Sequence, residues 1–481
     1  GSLLQLILGI VFRVIYLFRS GQYTFFEDAM IHSDLYLAVG NLVITSILSI
    51  AIFFAGNQTL KITKNWVYAI LVQASPFLIN IWYEISGRIY PELLLLIPVL
   101  IFQVLILKIL FNENKNQLHE VLIFSLATAL GMAEKMTFLP FVLIPLILIK
   151  TIKRKIQFVL FSTGFFLIIA LPVTFQLERF WNWMKGMFIH SGMYESGDKN
   201  IIDVQLFLNN LNKLLHEEKY FFILLLVFVI SSSFIFLFKP RRTDNKIRLA
   251  LIITSLLSTF LVAVFIVAKQ YATRYFIPVL LFNPFIFILI TENIKQIVVK
   301  KYLNILMYGV ILMLTLYNFY KHISYIRITS DGIGKQMEAR IASRNFIETL
   351  ERDNYKIIVS QDYGCPYHEY AVMYSFCVAG KEWPGYREKL DKIYPNTYQY
   401  FTWDNTVKFW GQEFNPDEIV ASNKPVYLYL EKNTEELYQK TIQKLFENKD
   451  GFLVEKKLLF ENPVNGEGIL QLFFSKELEN P

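Results

Sequence analysis

An adjacent carboxylate pair, Glu27-Asp28, stands in the gap between the first two apolar runs of the chain. The gap reads SGQYTFFEDAMIHSD over residues 20–34 and adds His32 and Asp34. Ionised groups are costly at a membrane boundary and mark functional sites there. A carboxylate in such a place suits taking or aligning the proton of an incoming hydroxyl. Further ionisable residues collect at the ends of later apolar runs. Glu84 and Arg88 flank the turn YEISGRIYPE, with Glu92 directly after Pro91. Glu134-Lys135 sits in GMAEKMTFLP, where two apolar runs meet with almost no loop, and Lys269 and Arg274 lie in AKQYATRYFIP. A lone cation at the end of a span ordinarily snorkels to headgroups. Several cations converging with carboxylates suit a phosphate headgroup whose lipid tail stays in the bilayer.

The elements that must position these residues are membrane spans. Of 481 residues, 54% are hydrophobic and 18% charged, below the roughly 25% charge of soluble domains. Apolar runs of about 20 residues, each long enough for a bilayer core, recur down the chain. The pattern predicts a polytopic α-helical membrane protein with about eleven spans. They lie near 3–19, 36–55, 66–84, 91–111, 120–136, 138–150, 156–176, 220–238, 248–268, 274–291 and 302–320. The gaps alternate in charge. One set holds Lys61 and Lys64; Lys115; Lys150, Lys153, Arg154 and Lys155; Lys239, Arg241, Arg242, Lys246 and Arg248; then Lys295, Lys300 and Lys301. The other set holds few basic residues. The positive-inside rule makes the first set cytoplasmic. The Glu27-Asp28 loop, the loop 177–219 and everything after 321 then face outside. The net charge of +7 sits at span ends, so it does not indicate nucleic acid as a partner. The chain opens on Gly1-Ser2 with no Met, so upstream residues are expected; no cleavable signal peptide is visible.

The reading divides the chain into a transmembrane domain, 1–321, and a C-terminal soluble α/β domain, 322–481, on the outer side. In the latter KIIVSQD (356–362) and PVYLYLE (425–431) read as buried strands. Residues 433–447 read as an amphipathic helix, and GFLVEKKLLFENPVNGEGILQLFFSK as a hairpin around Asn-Gly. Cys365 and Cys377 both fall in this domain, either disulfide-bonded in an oxidising space or as separate loop and helix residues. In the loop 177–219, Phe180, Trp181, Trp183, Met184 and Met187 read as a helix on the membrane surface. The alternative is that Trp181, Trp183, Phe188 and Tyr194 stack on sugars. HSGMYESGDKN, 190–200, reads as a loop able to gate a cavity. His32, Asp34, His190 and Asp198 are able to supply ligands to a divalent metal, but no recognised metal spacing joins them and no firm cofactor is expected.

Cations beside a phosphate leaving group, with a carboxylate for the acceptor, fit sugar transfer from a polyprenyl-phosphate donor. The order of motifs resembles the GT-C superfamily of integral-membrane glycosyltransferases, the group containing protein O-mannosyltransferases and aminoarabinose transferases. The likeness is carried by Glu27-Asp28, by QASPFLINIWYEISGRIYPELLLL (73–96), by LATALGMAEKMTFLPFVLIPLIL (126–148) and by AKQYATRYFIPVLLFNPF (268–285). The first outer loop is shorter than the helix-bearing loop usual in relatives.

The resemblance implies that Asp28, with Glu27, activates the acceptor. It implies that Lys135, Lys269, Arg274 and Arg88 hold the donor phosphate and that the C-terminal domain helps bind the acceptor. Glu84, Glu134, His190 and Tyr194 complete the set as acceptor or substrate contacts. The expected partners are a polyprenyl-phosphate-sugar donor, a glycan, lipid or protein acceptor, and membrane lipid. The expected location is the inner (plasma) membrane of a bacterium, with the C-terminal domain extracytoplasmic. Two other functions compete: a lipid-linked glycan flippase or carrier without catalysis, and a polymerase or ligase using a lipid-diphosphate donor.

Overall fold

The computed structural model describes residues 2–19, 21, 23–86, 88–111, 118–171, 177–190, 202–237, 243–297, 301–360, 386–402, 406–409, 413–422, 424–446 and 452–476. The chain is mostly helical, with a small C-terminal sheet, and separates into two compact units. The first holds residues 1–12 and 37–326; the second holds 13–36 and 327–481. The expected boundary at 321/322 falls inside one long helix, Lys301–Thr349. Residues 13–36, expected with the spans, group with the C-terminal part.

Wholly or mainly in the first unit, four helices among the described residues are long and apolar enough to cross a membrane: Ser33–Thr63, Pro91–Phe111, Ile247–Lys269 and Thr273–Lys295. Ser2–Leu17, Met136–Leu148 and Lys219–Phe234 are shorter apolar helices. The stretch 66–84, expected as one span, is broken. Helix Trp66–Gln73 gives way to a tight turn, Pro76–Leu78, and then to Asn80–Ile85 after an extended Ile79. Pro76 has no N–H to continue the ladder, which explains the break.

Phenylalanine rings form the core of this unit. Phe102 meets Phe138 edge-on at 5.8 Å between centroids, and Phe138 stacks on Phe141 at 4.5 Å. The series continues through Phe282, Phe260 and Phe221 to Phe276. Lipid surroundings give little hydrophobic drive to helix association, so close packing carries it; an aromatic pair adds about 0.5–1.5 kcal/mol. Polar pairs assist. Gln103 donates to the Leu281 carbonyl, and Asn293 donates to Ser231 and Ser232.

The second unit is built on a six-stranded sheet of order β3-β2-β1-β4-β6-β5. Its strands are β1 (Tyr355–Ser360), β2 (Thr397–Phe401), β3 (Thr406–Phe409), β4 (Val426–Leu430), β5 (Phe452–Glu461) and β6 (Gly468–Lys476). β1 pairs in parallel with β2 and β4, while β3, β6 and β5 add antiparallel edges. Both expected strands, the helix (observed as Glu435–Phe446) and the C-terminal hairpin are present. The hairpin turn ends on Gly466 at φ +73°, a left-handed conformation that favours glycine. β1 is buried on both faces. Ile357 and Val359 join a core with Leu437, Tyr438 and Phe446 from helix Glu435–Phe446. Ile358 joins a second core with Ile347, Leu390, Phe401, Tyr429, Ile469 and Met30. Met30 comes from the short helix Phe25–Ile31, so the carboxylate-bearing loop contributes to the core of the C-terminal fold.

Gly131 is where the phenylalanine core is tightest: a Cβ there would overlap the Phe138 ring. Alanine normally favours a helix over glycine by about 1 kcal/mol. Here Phe138 is fully buried between Phe102 and Phe141 and cannot yield. Gly131→Ala is therefore expected to destabilise the protein by about 1–3 kcal/mol. A thermal melt in detergent checks this, and an unchanged or raised midpoint contradicts the packing argument.

Candidate functional site

Two charged constellations stand out, one in each unit. In the first unit, Glu92, Lys135 and Arg274 meet. Each lies where a helix has just been interrupted. Tyr90 is extended and precedes the turn Pro91–Leu94 that carries Glu92. Lys135 is itself extended, at φ −157° and ψ 135°, between helix Leu118–Glu134 and the 3-10 turn Met136–Val142. Ala272 is extended before the turn Thr273–Phe276 that carries Arg274. Irregular backbone at membrane depth is tolerated where it is packed in protein or lines a cavity, so such breaks are where polar side chains can gather.

Glu92 is 1% exposed. Its Oε1 accepts a hydrogen bond from the Lys135 ammonium and lies 3.5 Å from Arg274 Nε, an ion-pair distance rather than a hydrogen bond. Its Oε2 has no hydrogen-bond partner among the described residues. Tyr275 lies beside both cations, its ring centroid 4.3 Å from Lys135 Nζ and 5.7 Å from the Arg274 guanidinium. The turn carrying Arg274 is held from outside itself: Thr273 and Tyr271 donate to Glu217 at the end of helix Val204–Glu217.

A cavity of about 290 Å³ adjoins this group. Pro91, Glu134, Lys135, Phe166 and Phe180 are among its lining residues. Glu134 is buried, and its Oε2 accepts from the Leu4 N–H. Two of the four expected phosphate-binding cations, Lys135 and Arg274, are therefore brought together. Lys269 ends helix Thr243–Lys269 in a half-buried position. Glu84 and Arg88 are exposed near the turn. Glu92, noted beside Pro91 but assigned no role from the sequence, is the residue that joins the cations. Its signal was the Pro-Glu at a helix start, opposite two cations each followed by a proline-containing turn.

In the second unit, Asp28 is 4% exposed. Arg19 Nε donates to Oδ1 at 2.9 Å and is 2.8 Å from Oδ2, and the Tyr36 hydroxyl donates to Oδ2 at 2.6 Å. His32 Nε2 is 3.8 Å from Oδ1. Glu27 points elsewhere. Its Oε2 accepts from the Thr24 hydroxyl at 2.7 Å and the Thr24 N–H at 3.0 Å, the reach-back of a capping box. Lys389 lies 3.2 Å from its other oxygen and donates to the Thr24 hydroxyl. Arg13 lies over the Phe25 ring at 3.9 Å, which accounts for a cation inside the first apolar run.

Helix Leu177–Ile189 is present and exposes Trp181. His190 follows it, half-buried, with its N–H on the Gly186 carbonyl. Tyr194, Asp198, most of the 190–200 loop, Cys365 and Cys377 lie outside the described residues. Among the described residues no group of three or more His, Cys, Asp or Glu side chains is gathered for a metal ion. Compared with family models, curated proteins and solved structures, the chain matches none.

The Thr24 hydroxyl, then the Thr24 N–H and Lys389, draw the Glu27 carboxyl down from its ordinary 4.5 to about 2. A depressed carboxyl adds stability above its unfolded value, and that share is lost as pH falls through the folded one. Hydrogen exchange of amides 25–31 should therefore show wild type better protected than Glu27→Gln at neutral pH. The difference should shrink as pH falls from about 4.5 toward about 2. A gap that is undiminished at about pH 2 would sink this account of the cap.

Proposed function

We propose that this chain is a glycosyltransferase that moves a sugar from a polyprenyl-phosphate-linked donor to a glycan, lipid or protein acceptor at the outer face of a membrane. The convergence of Lys135 and Arg274 on a buried carboxylate, beside a cavity in an apolar helical unit, carries the reading. Charge alternation between the apolar runs supports an eleven-span arrangement with that group toward the outer side. The residue usage is compatible with a bacterial inner-membrane protein.

In this reading the acceptor oxygen attacks the anomeric carbon. The bond from that carbon to the phosphate oxygen breaks, and its electron pair leaves with the phosphate. Lys135 and Arg274 stabilise the charge that gathers on the leaving group, the usual role of fixed cations in phosphate departure. The proton of the acceptor hydroxyl passes to Asp28. Arg19 and Tyr36 fix the orientation of that carboxylate. Glu27, engaged by Thr24 and Lys389, supports the helix that carries it.

Asp28→Asn keeps the shape and one oxygen for Arg19, with its amide N–H turned to the Tyr36 hydroxyl oxygen, but removes the base. It is expected to lower sugar transfer by about 100-fold or more with membrane insertion and folding retained. The assay follows transfer from radiolabelled polyprenyl-phosphate sugars in membranes expressing the protein. An active Asp28→Asn, Glu27→Gln double variant contradicts the assignment. Movement of labelled lipid-linked sugar across liposomes without product would favour a carrier, and preference for a diphosphate donor would favour a polymerase or ligase.

A further inference from the structure

The buried carboxylates of the two constellations are satisfied differently. Asp28 has a donor on each oxygen, as an orienting ion pair should. Glu92 has both cations on Oε1, while Oε2, buried with it, has no hydrogen-bond partner among the described residues. A buried ion pair repays its desolvation only when geometry is good and the remaining lone pairs are used. Glu92 is therefore a poor device for stability alone.

Exposure adds a direction. The Glu92 side chain is 2% exposed, whereas Lys135 and Arg274 are 21% and 26% exposed. The cations have an open side and the carboxylate lies behind them. Lys135 also lines the 290 Å³ cavity. An anion arriving through that cavity meets Lys135 first and must draw it from Glu92. Glu134 is the other carboxylate of the neighbourhood. It lines the same cavity and takes the Leu4 N–H, so it keeps a partner of its own.

We infer that Glu92 is a resident counter-ion: it competes with a lipid phosphate for Lys135 and Arg274, and takes them back when the phosphate leaves. This rests on the reading of those cations as a phosphate site. It makes Glu92 a positioning residue whose effect is to weaken phosphate binding. The site is thereby kept from being trapped by the polyprenyl phosphate that sugar transfer releases, which carries more charge than the donor. A purely structural Glu92, holding the cations in place for the ligand, has the opposite sign.

The test is binding of farnesyl phosphate to the full chain in nanodiscs. Glu92→Gln should bind it about tenfold or more tightly than wild type, the scale on which a charge within a few ångströms biases an ionic equilibrium. Lys135→Gln leaves Arg274 facing Glu92 and should bind weakly. The double variant Glu92→Gln, Lys135→Gln removes the carboxylate from beside Arg274 and should bind more tightly than Lys135→Gln. This second comparison removes both members of the pair and decides the matter even where Glu92→Gln alone does not fold. If removing Glu92 weakens binding or leaves it unchanged in these comparisons, the inference falls and the phosphate site stands. If neither wild type nor any variant binds farnesyl phosphate, the phosphate site and the inference fall together.

Discussion

Glu92 is a carboxyl group buried inside an apolar helical unit, and a charge placed there costs several kcal/mol unless cations are held against it. Much of the local architecture follows from that constraint. Lys135 and Arg274 are distant from Glu92 in sequence, and regular helices would carry such long side chains toward lipid or solvent. Each reaches the carboxylate because its helix stops: Lys135 is extended ahead of a 3-10 turn, and Arg274 sits in one. Such breaks leave backbone groups outside the helical ladder, a cost borne only where the segment is packed in protein or lines a cavity. Here both apply. Phe138 follows Lys135 by three residues, and Phe276 follows Arg274 by two. Both rings are fully buried in the same connected aromatic core. The ion group and the aromatic core therefore hold each other: the rings pin the turns, and the turns present the cations.

The Asp28 constellation solves a different problem. Helix Phe25–Ile31 has seven residues, too few to be stable as an isolated helix. It persists because both of its flanks are engaged. Met30 is buried against Ile358, Phe401 and Tyr429 of the C-terminal sheet, while Glu27 closes the first turn on Thr24 and meets Lys389. A loop of the N-terminal region is thus part of the C-terminal domain's core. The sheet, with β1 buried on both faces, supplies the rigidity that the loop lacks. The acidic pair, read from the sequence as one catalytic feature, divides into a structural member and a member held for orientation.

Local periodicity and composition made much of the fold legible. The apolar runs, β1, β4, the amphipathic helix and the Asn-Gly hairpin each announce themselves within about ten to fifteen residues. What was not legible depends on distant partners. β2 and β3, TYQYF and TVKF, mix aromatic and polar residues, and β2 becomes a buried strand because it lies in parallel against β1. The grouping of residues 13–36 with the C-terminal domain rests on Met30 and Lys389, contacts that no pattern in either segment displays. The convergence of Lys135 and Arg274 was expected, but its centre was not. Glu92 was visible as a Pro-Glu start, yet sequence alone could not distinguish it from Glu84 or Glu134. Burial sets Glu84 apart, since it is exposed, and partners separate the other two: Glu134 holds a backbone N–H, and Glu92 holds the cations.

The exposure of the partners sets how each carboxylate can be reached. Asp28 is enclosed by Tyr36, which is fully buried, and by Arg19 and His32, whose side chains are 31% and 37% exposed. Arg19 and His32 are the exposed members of that group, and Tyr36 is its buried one. Glu92 likewise stands behind Lys135 and Arg274. In both places the exposed charge is basic and the carboxylate lies beneath it. An approaching ligand therefore meets positive charge first, which favours anionic or strongly polar molecules and disfavours cations. The order of layers, cation outside and carboxylate within, lets both carboxylates sit in a net basic chain without presenting negative charge to an approaching anion.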